Sequence, residues 1–400
     1  MMLNPCSSKR SPGVNPGTAG REFLIRQPNR WSARDVQGAD YCFSQEWHVK
    51  NRADIRKKTG NRLIAGEIGV IEQVVFMEQL SEKVLAGDRR SIARAITLVE
   101  NRDPSRFKLL AELRASCAKG WVIGITGSPG SGKSSLVDQM TRQYRKQGLE
   151  VGIIAVDPSS PFTGGALLGD RIRMQQHATD HGVFIRSMGT RGNLGGLALA
   201  TREAIQILSA SGKDLVLVET VGVGQSELEI MKIADATVVV LTPGTGDSIQ
   251  TIKAGIMEIA DVFAINKADL PGARRLAREV QAMLETTCHN AAWRPPVIET
   301  VTINGNGIKE LTEAIENYCQ YLLKSGELDA KRRQRAGDEV GEVCVMLLRE
   351  WFSRQAQKDG PVRKVIAGVK EGSIDPYYAA SAVLQQLCGD RCEDWKLPDG

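Results

Sequence analysis

Short apolar runs recur along this chain near 121–126, 151–156, 183–186, 215–219, 237–242, 262–266 and 297–302, and helical periodicity occupies most of the intervals between them. Runs that are apolar throughout predict strands buried on both faces. Their alternation with helices predicts an α/β fold, a mainly parallel central sheet covered by helices on both sides. Upstream, Val74, Val75, Leu80, Val84, Leu85, Ile92, Ile96 and Val99 return at helical spacing, with Gly87-Asp88 as a break, so two helices are expected before the first strand. The last core helix is expected over 309–324. A charged run beginning at Gly326 then leads to Val340, Val343, Met346, Leu347, Leu348, Trp351 and Phe352, an apolar helical stripe. Such a stripe packs on its own domain or, through that connector, crosses to a second subunit, and a homodimer is expected.

Residues 1–69 mix Pro, Gly, Arg, Asn and Ser without a sustained period and are expected to stand outside the fold. The leading reading is a start assigned too far upstream, with Met77 or a nearby codon as the true beginning. A transit peptide to the mitochondrial matrix is the alternative, and Glu22, Asp35, Asp40, Glu46 and Asp54 argue against it. The expected division is therefore an extension over 1–69, a helical segment over 70–118, an α/β domain over 119–325 and a helical segment over 326–400.

Composition changes this picture little. The chain has 400 residues and a net charge of +5, with no apolar stretch of membrane-spanning length and no basic stripe interleaved with aromatics. Neither a membrane nor a nucleic-acid partner is expected, and a cytoplasmic protein is. Of the eight cysteines only Cys388 and Cys392 are close, at a spacing poor for zinc. His177 and His181 stand four apart and, without a third ligand, are expected on a polar helix surface.

Candidate chemistry begins with Gly127, Ser128, Pro129, Gly130, Ser131, Gly132, Lys133 and Ser134, which follow one predicted strand and open the helical pattern that starts at Ser135. Glycines here let consecutive backbone N–H groups turn inward toward a polyphosphate, and the helix N-terminus adds partial positive charge. Lys133 would meet the β- and γ-phosphates, and Ser134 would ligate Mg²⁺. Farther on, Asn266, Lys267 and Asp269 form an N-K-x-D run after a strand. A carboxylate at Asp269 can accept from guanine N1–H and its exocyclic amine, a donor pair adenine lacks, so GTP is favoured over ATP.

Three carboxylates stand at predicted strand ends or in adjoining loops. Asp157 ends the 151–156 run, Asp170 lies with Arg171 and Arg173 in the following polar loop, and Glu219 ends the 215–219 run at the position where a carboxylate holds Mg²⁺. Gly222 would bring its N–H to the γ-phosphate. Val223 follows it where switch GTPases carry a water-orienting glutamine, so slow intrinsic hydrolysis is expected. Gln225 stands two residues later.

Over about Met77–Gln355 the chain resembles the MeaB/ArgK-type GTPases, chaperones of adenosylcobalamin-dependent acyl-CoA mutases. The resemblance rests on Ala95–Glu100, the P-loop, Ala155–Ser160, Leu168–Arg171, Ile185–Gly192, Glu219–Gln225 and Asn266–Asp269. It implies that Lys133, Asp157, Asp170 and Glu219 form the Mg²⁺–GTP cluster, with Arg173 near the nucleotide. It implies a further switch from Thr242 to Lys253, and the residues themselves agree: Pro243, Gly244 and Gly246 predict a mobile loop, in which Asp247 and Lys253 would exchange an ion pair. It also implies a mutase partner, methylmalonyl-CoA mutase first, through which alone adenosylcobalamin would be met. Two other functions remain open at this point: a metal-insertion GTPase, and a kinase or ATPase of amino-acid transport.

Overall fold

The computed structural model describes residues 76–117, 120–157, 177, 179–189, 194–220, 229–244, 259–288 and 291–388. Its chain divides into two compact units, Met1–Lys331 and Arg332–Gly400.

Seven strands form one sheet in the first unit: β1 (Trp121–Gly127), β2 (Val151–Asp157), β3 (Val183–Gly189), β4 (Leu215–Glu219), β5 (Ala236–Leu241), β6 (Val262–Asn266) and β7 (Val297–Thr300). They stand in the order β3-β2-β4-β1-β5-β6-β7, every neighbouring pair parallel. Each strand coincides with an apolar run of the sequence, because β1, β4, β5 and β6 are buried along their whole length.

Helices cover both faces. Successive strand residues point to opposite sides, so Leu215 and Leu217 join a core with α4 (Lys133–Lys146) and α7 (Ile308–Ser325). Val216 and Val218 face the other way. They meet α5 (Leu194–Ala210) and three helices that precede the sheet: α1, described over 76–85, α2 (Arg89–Glu100) and α3 (Arg106–Arg114). Val239, Leu241, Phe263 and Ile265 pack on that same side against α6 (Ala273–Thr287).

Only two helices were expected before β1, and α3 is the addition. Its buried positions are Arg106, Leu109 and Leu113, and the cationic member hides the apolar period. The guanidinium is 1% exposed, sits over the Phe107 ring, donates to the Arg102 and Asp103 carbonyls and faces Glu203 of α5 at 3.5 Å.

Gly326, at φ +77°, ends α7, and the charged run after it is helical rather than a loose connector: α8 spans Glu327–Gln357. In the second unit α9 (Pro361–Lys370) and α10 (Pro376–Cys388) pack together, burying Val362, Ala379 and Val383. No helix among the described residues is long and apolar enough to cross a membrane.

Candidate functional site

The C-terminal ends of β1, β4, β6 and β7 share one edge of the parallel sheet, where open α/β sheets bind ligands. At Gly127 the backbone has φ +138°, and a Cβ there would lie 2.2 Å from the Val240 carbonyl of β5. The chain must therefore leave β1 through glycine. Gly130 and Gly132 also take positive φ, and the turn closes with the Ser131 N–H donating to the Ser128 carbonyl at 3.2 Å. From Gly132 the chain enters α4, whose first residues are Lys133, Ser134 and Ser135.

Two side chains of that first turn are buried and engaged. Lys133, 6% exposed, folds over its own loop and donates from Nζ to the carbonyls of Gly127 at 2.7 Å and Ser128 at 3.0 Å. Ser134 Oγ donates to Glu219 Oε1 at 2.6 Å. Glu219 reaches it because β4 lies beside β1 with Glu219 opposite Ile125. The next residue pins the exit of β4: Thr220 N–H donates to the Ile125 carbonyl, and its hydroxyl to Thr126 Oγ1 at 2.9 Å.

The N-K-x-D segment grips the same loop from the other side. Asn266 is fully buried, its Nδ2 donating to the Ser131 carbonyl at 2.8 Å while its Oδ1 accepts from Thr300 Oγ1 at 3.3 Å. A Cβ at Gly132 would stand 2.4 Å from that Nδ2, so glycine is required there by packing as well as by φ. Lys267, at φ +57°, donates from Nζ to the Gly130 carbonyl at 3.0 Å. Asp269 is exposed in the turn beyond, and the Ala268 N–H donates to the Thr300 carbonyl at 3.0 Å.

That last bond brings in residues that no motif singles out. The chain after β7 and the first two turns of α4 form a cleft of about 160 Å³ lined by Ser134, Ser135, Asp138, Gln139, Thr302 and Ile303. Ile303 is 90% exposed there. Its only sequence signal is an isolated apolar residue in the polar turn Thr302–Gly307.

The histidine pair departs from expectation. His177 is buried rather than on a polar helix surface: its Nε2 lies 2.9 Å from Asp138 Oδ1 on α4, whose other oxygen meets Arg142 at 3.1 Å. His181 stands in the exposed turn before β3. Spacing alone could not distinguish a shared helix face from a strand approach. Of the other expected positions, Asp157 ends β2 in register with Gly189, and only its backbone is described. Asp170, Arg171, Arg173, Gly222, Val223, Gln225, Asp247 and Lys253 lie outside the described residues.

Comparison with known proteins agrees with this geometry. The family described as methylmalonyl-CoA mutase-associated GTPase MeaB matches residues 92–357, well over half of the chain. This chain belongs to the MeaB family of GTPases. A Pyrococcus abyssi protein that bears a GTPase name is 48% identical over 317 residues, covering 78% of this chain and 98% of that one. The GTPase ArgK of Escherichia coli is 34% identical, covering 77% and 95% of the two chains. The mouse mitochondrial methylmalonic aciduria type A homolog is 37% identical, covering 78% and 79%. The crystal structure of a protein named LAO/AO transport system kinase superposes with a TM-score of 0.57 at 27% identity, over 78% of this chain and 98% of that one. As a MeaB-family GTPase, the protein is a guanine-nucleotide-binding P-loop enzyme.

Proposed function

We propose that this GTPase hydrolyses GTP with Mg²⁺ and acts as a chaperone that gates adenosylcobalamin loading into a B12-dependent acyl-CoA mutase, methylmalonyl-CoA mutase first. The observation that carries the reading is the joining of three sequence-distant groups, Lys133–Ser134, Glu219 and Asn266, at one sheet edge, in a chain of the family named for that mutase.

The donor set suits a hard divalent cation. Ser134 Oγ and Glu219 Oε1 are oxygen ligands, one of them anionic, already within 2.6 Å of each other and both buried. Bound there, Mg²⁺ would neutralise charge on the β- and γ-phosphates. Asp157 and Asp170 complete the proposed set. Lys133 is the cation for the β- and γ-phosphates, the loop Gly127–Ser135 cradles the phosphate chain with its backbone N–H groups, Pro129 having none to give, and Arg173 and Gly222 meet its distal end. Asn266 and Lys267 hold the cradle to the base loop. Asp269, exposed at the rim, accepts from guanine, while Thr302 and Ile303 wall the cleft beside Ser135. A cobalamin contact would come through the mutase.

For a nucleotide to gate the mutase, its GTP and GDP states must differ in affinity for the client. The proposed assembly is a homodimer, and the support for it is the row of exposed apolar residues Val340, Val345, Leu347, Leu348 and Phe352 on α8. The kinase name borne by the superposed protein favours a second reading, phosphoryl transfer in amino-acid transport. That reading needs ATP, against which Asp269 argues.

The deciding experiment is hydrolysis of GTP and of ATP by the purified protein, with and without an adenosylcobalamin-dependent acyl-CoA mutase. Slow GTP-specific turnover accelerated by the mutase, with discrimination against ATP lost in Asp269→Asn, is the expected result. ATP preference, or indifference to the mutase, would overturn the chaperone reading.

A further inference from the structure

Among the described residues, two stretches stand outside the nucleotide cradle: Ala95–Glu100 and Ile185–Gly189. The fold brings them into contact. Arg186, on β3, donates to Thr97 Oγ1 at 3.0 Å and pairs directly with the Glu100 carboxylate, both on α2. The pair is largely withdrawn from water, the side chains 18% and 11% exposed.

Position makes this tie consequential. Among the described residues β3 is an edge strand with β2 as its single strand neighbour, and no described strand holds its outer side. In the β2–β3 register Arg186 stands opposite Ile154, and three residues on Gly189 stands opposite Asp157, at the edge where the nucleotide cradle lies. Helix α2 grips β3 a second time at its far end, where Arg89 donates to the Val183 carbonyl at 2.6 Å.

Burial chemistry argues against a purely stabilising purpose. A largely buried ion pair gains little over apolar packing of the same volume. Arg186 also leaves its buried Nε without an acceptor among the described residues, a penalty that an apolar side chain would not carry. Such a group is better suited to fixing one arrangement than to adding stability.

We infer that Arg186 and Glu100 are positioning residues: the α2 helix, through this pair, holds the C-terminal ends of β3 and β2 in the register that GTP hydrolysis requires. Their effect is on turnover rather than on nucleotide affinity. The inference rests on the GTPase reading for its kinetic arm, and a second arm is independent of that reading.

The test uses the full chain. Arg186→Gln and Glu100→Gln should each lower kcat for GTP by about tenfold, within the range seen for residues that act through their neighbours, while KM for GTP stays within about twofold. The exchange Arg186→Glu with Glu100→Arg should recover part of that loss. Arg89→Gln, which loosens the far end of β3, serves as the stability control and should leave kcat unchanged. Independently of turnover, amide hydrogen exchange at Ala155–Asp157 and Ser187–Gly189 should quicken in Arg186→Gln and not in Arg89→Gln. Unchanged exchange at those amides in Arg186→Gln overturns the inference, whatever the hydrolysis rate. Quickened exchange in Arg186→Gln with an unchanged kcat overturns the claim that the pair acts on turnover. A wild-type chain that does not turn over GTP, with exchange behaving as stated, defeats the GTPase reading and leaves standing only the hold of α2 on the ends of β3 and β2.

Discussion

Replacing Asn266 with alanine isolates the bond that joins base loop to phosphate loop. The substitution removes the Nδ2 donor from the Ser131 carbonyl, 2.8 Å away, and the Oδ1 acceptor from Thr300, 3.3 Å away, at a side chain with no solvent exposure. A buried carbonyl left without its donor costs about 1–3 kcal/mol. The Thr300 hydroxyl can rotate toward another acceptor, and its longer bond adds at most about 1 kcal/mol. The sum is about 1–4 kcal/mol, with about 2 as a middle value. If the phosphate loop bears it by opening locally, only a fraction of molecules present a formed cradle, and apparent affinity falls by that fraction. At about 1.4 kcal/mol per decade, 2 kcal/mol is about 30-fold. Titration with a fluorescent GDP analogue reads this loss, and urea unfolding reads any share taken by global stability. Competition by tripolyphosphate, which has no base, separates the loop from the base: if Asn266 acts on the loop, tripolyphosphate affinity falls as well. Thr300→Val, which removes only the weaker bond, should change either quantity by less than about 1 kcal/mol. An Asn266→Ala protein with wild-type urea stability and wild-type tripolyphosphate affinity would refute the bridge.

Gly127→Ala places a Cβ 2.2 Å from the Val240 carbonyl at φ +138°, and urea unfolding should show a loss of about 3 kcal/mol or more, since backbone on both sides leaves no room to relax. Asp180 is held below its ordinary pKa of 3.8, first by the Arg145 guanidinium that binds both its oxygens. Its contribution to stability is therefore present above the unfolded pKa and is lost as pH falls through the lower folded one. The stability gap between wild type and Asp180→Asn should accordingly be full at pH 7 and close in acid, and a gap independent of pH would refute the ion pair. Burial pushes the Cys117 thiol up to about 11, so at pH 8 it should react with a thiol reagent far more slowly in the folded chain than in the urea-unfolded one. Equal rates, followed by peptide mapping, would contradict the packing of α3 against α5.

Legibility followed burial. β1, β4, β5 and β6 could be read because a parallel strand covered on both faces is an unbroken apolar run, too short in each case for a buried helix. Its glycines and lysine made the phosphate loop legible for a similar reason, since φ above zero and close approach leave few residue choices. What escaped detection depends on distant partners. Arg106 reads as a surface charge until Glu203 of α5 is seen beside it. His177 reads as half of an i, i+4 pair until Asp138 is found across the gap. Ile303 reads as a loop residue until the cleft beside Ser135 is formed. In each case the deciding neighbour is remote in sequence, and periodicity carries no information about it.

The phosphate loop also shows which of its bonds are structural and which would be exchanged. Lys133 satisfies its buried ammonium on two carbonyls of its own loop, and Ser134 satisfies its hydroxyl on Glu219. A nucleotide phosphate drawing Lys133 away replaces carbonyl acceptors with anionic ones, an exchange that strengthens the bonds without leaving a donor unmet. Glu219→Gln tests the second case. The glutamine amide oxygen can still accept from Ser134, so the bond weakens from charge-assisted to neutral and stability should fall by only about 1 kcal/mol. Anionic ligation is lost, however, and a hard cation holds poorly to an amide in place of a carboxylate. Nucleotide affinity measured with a chelator present should therefore match wild type, while the gain on adding Mg²⁺ should shrink at least about tenfold, one step of about 1.4 kcal/mol. A variant that keeps the full Mg²⁺ gain would remove Glu219 from the metal site and leave its bond to Ser134 as a strand–helix tie alone.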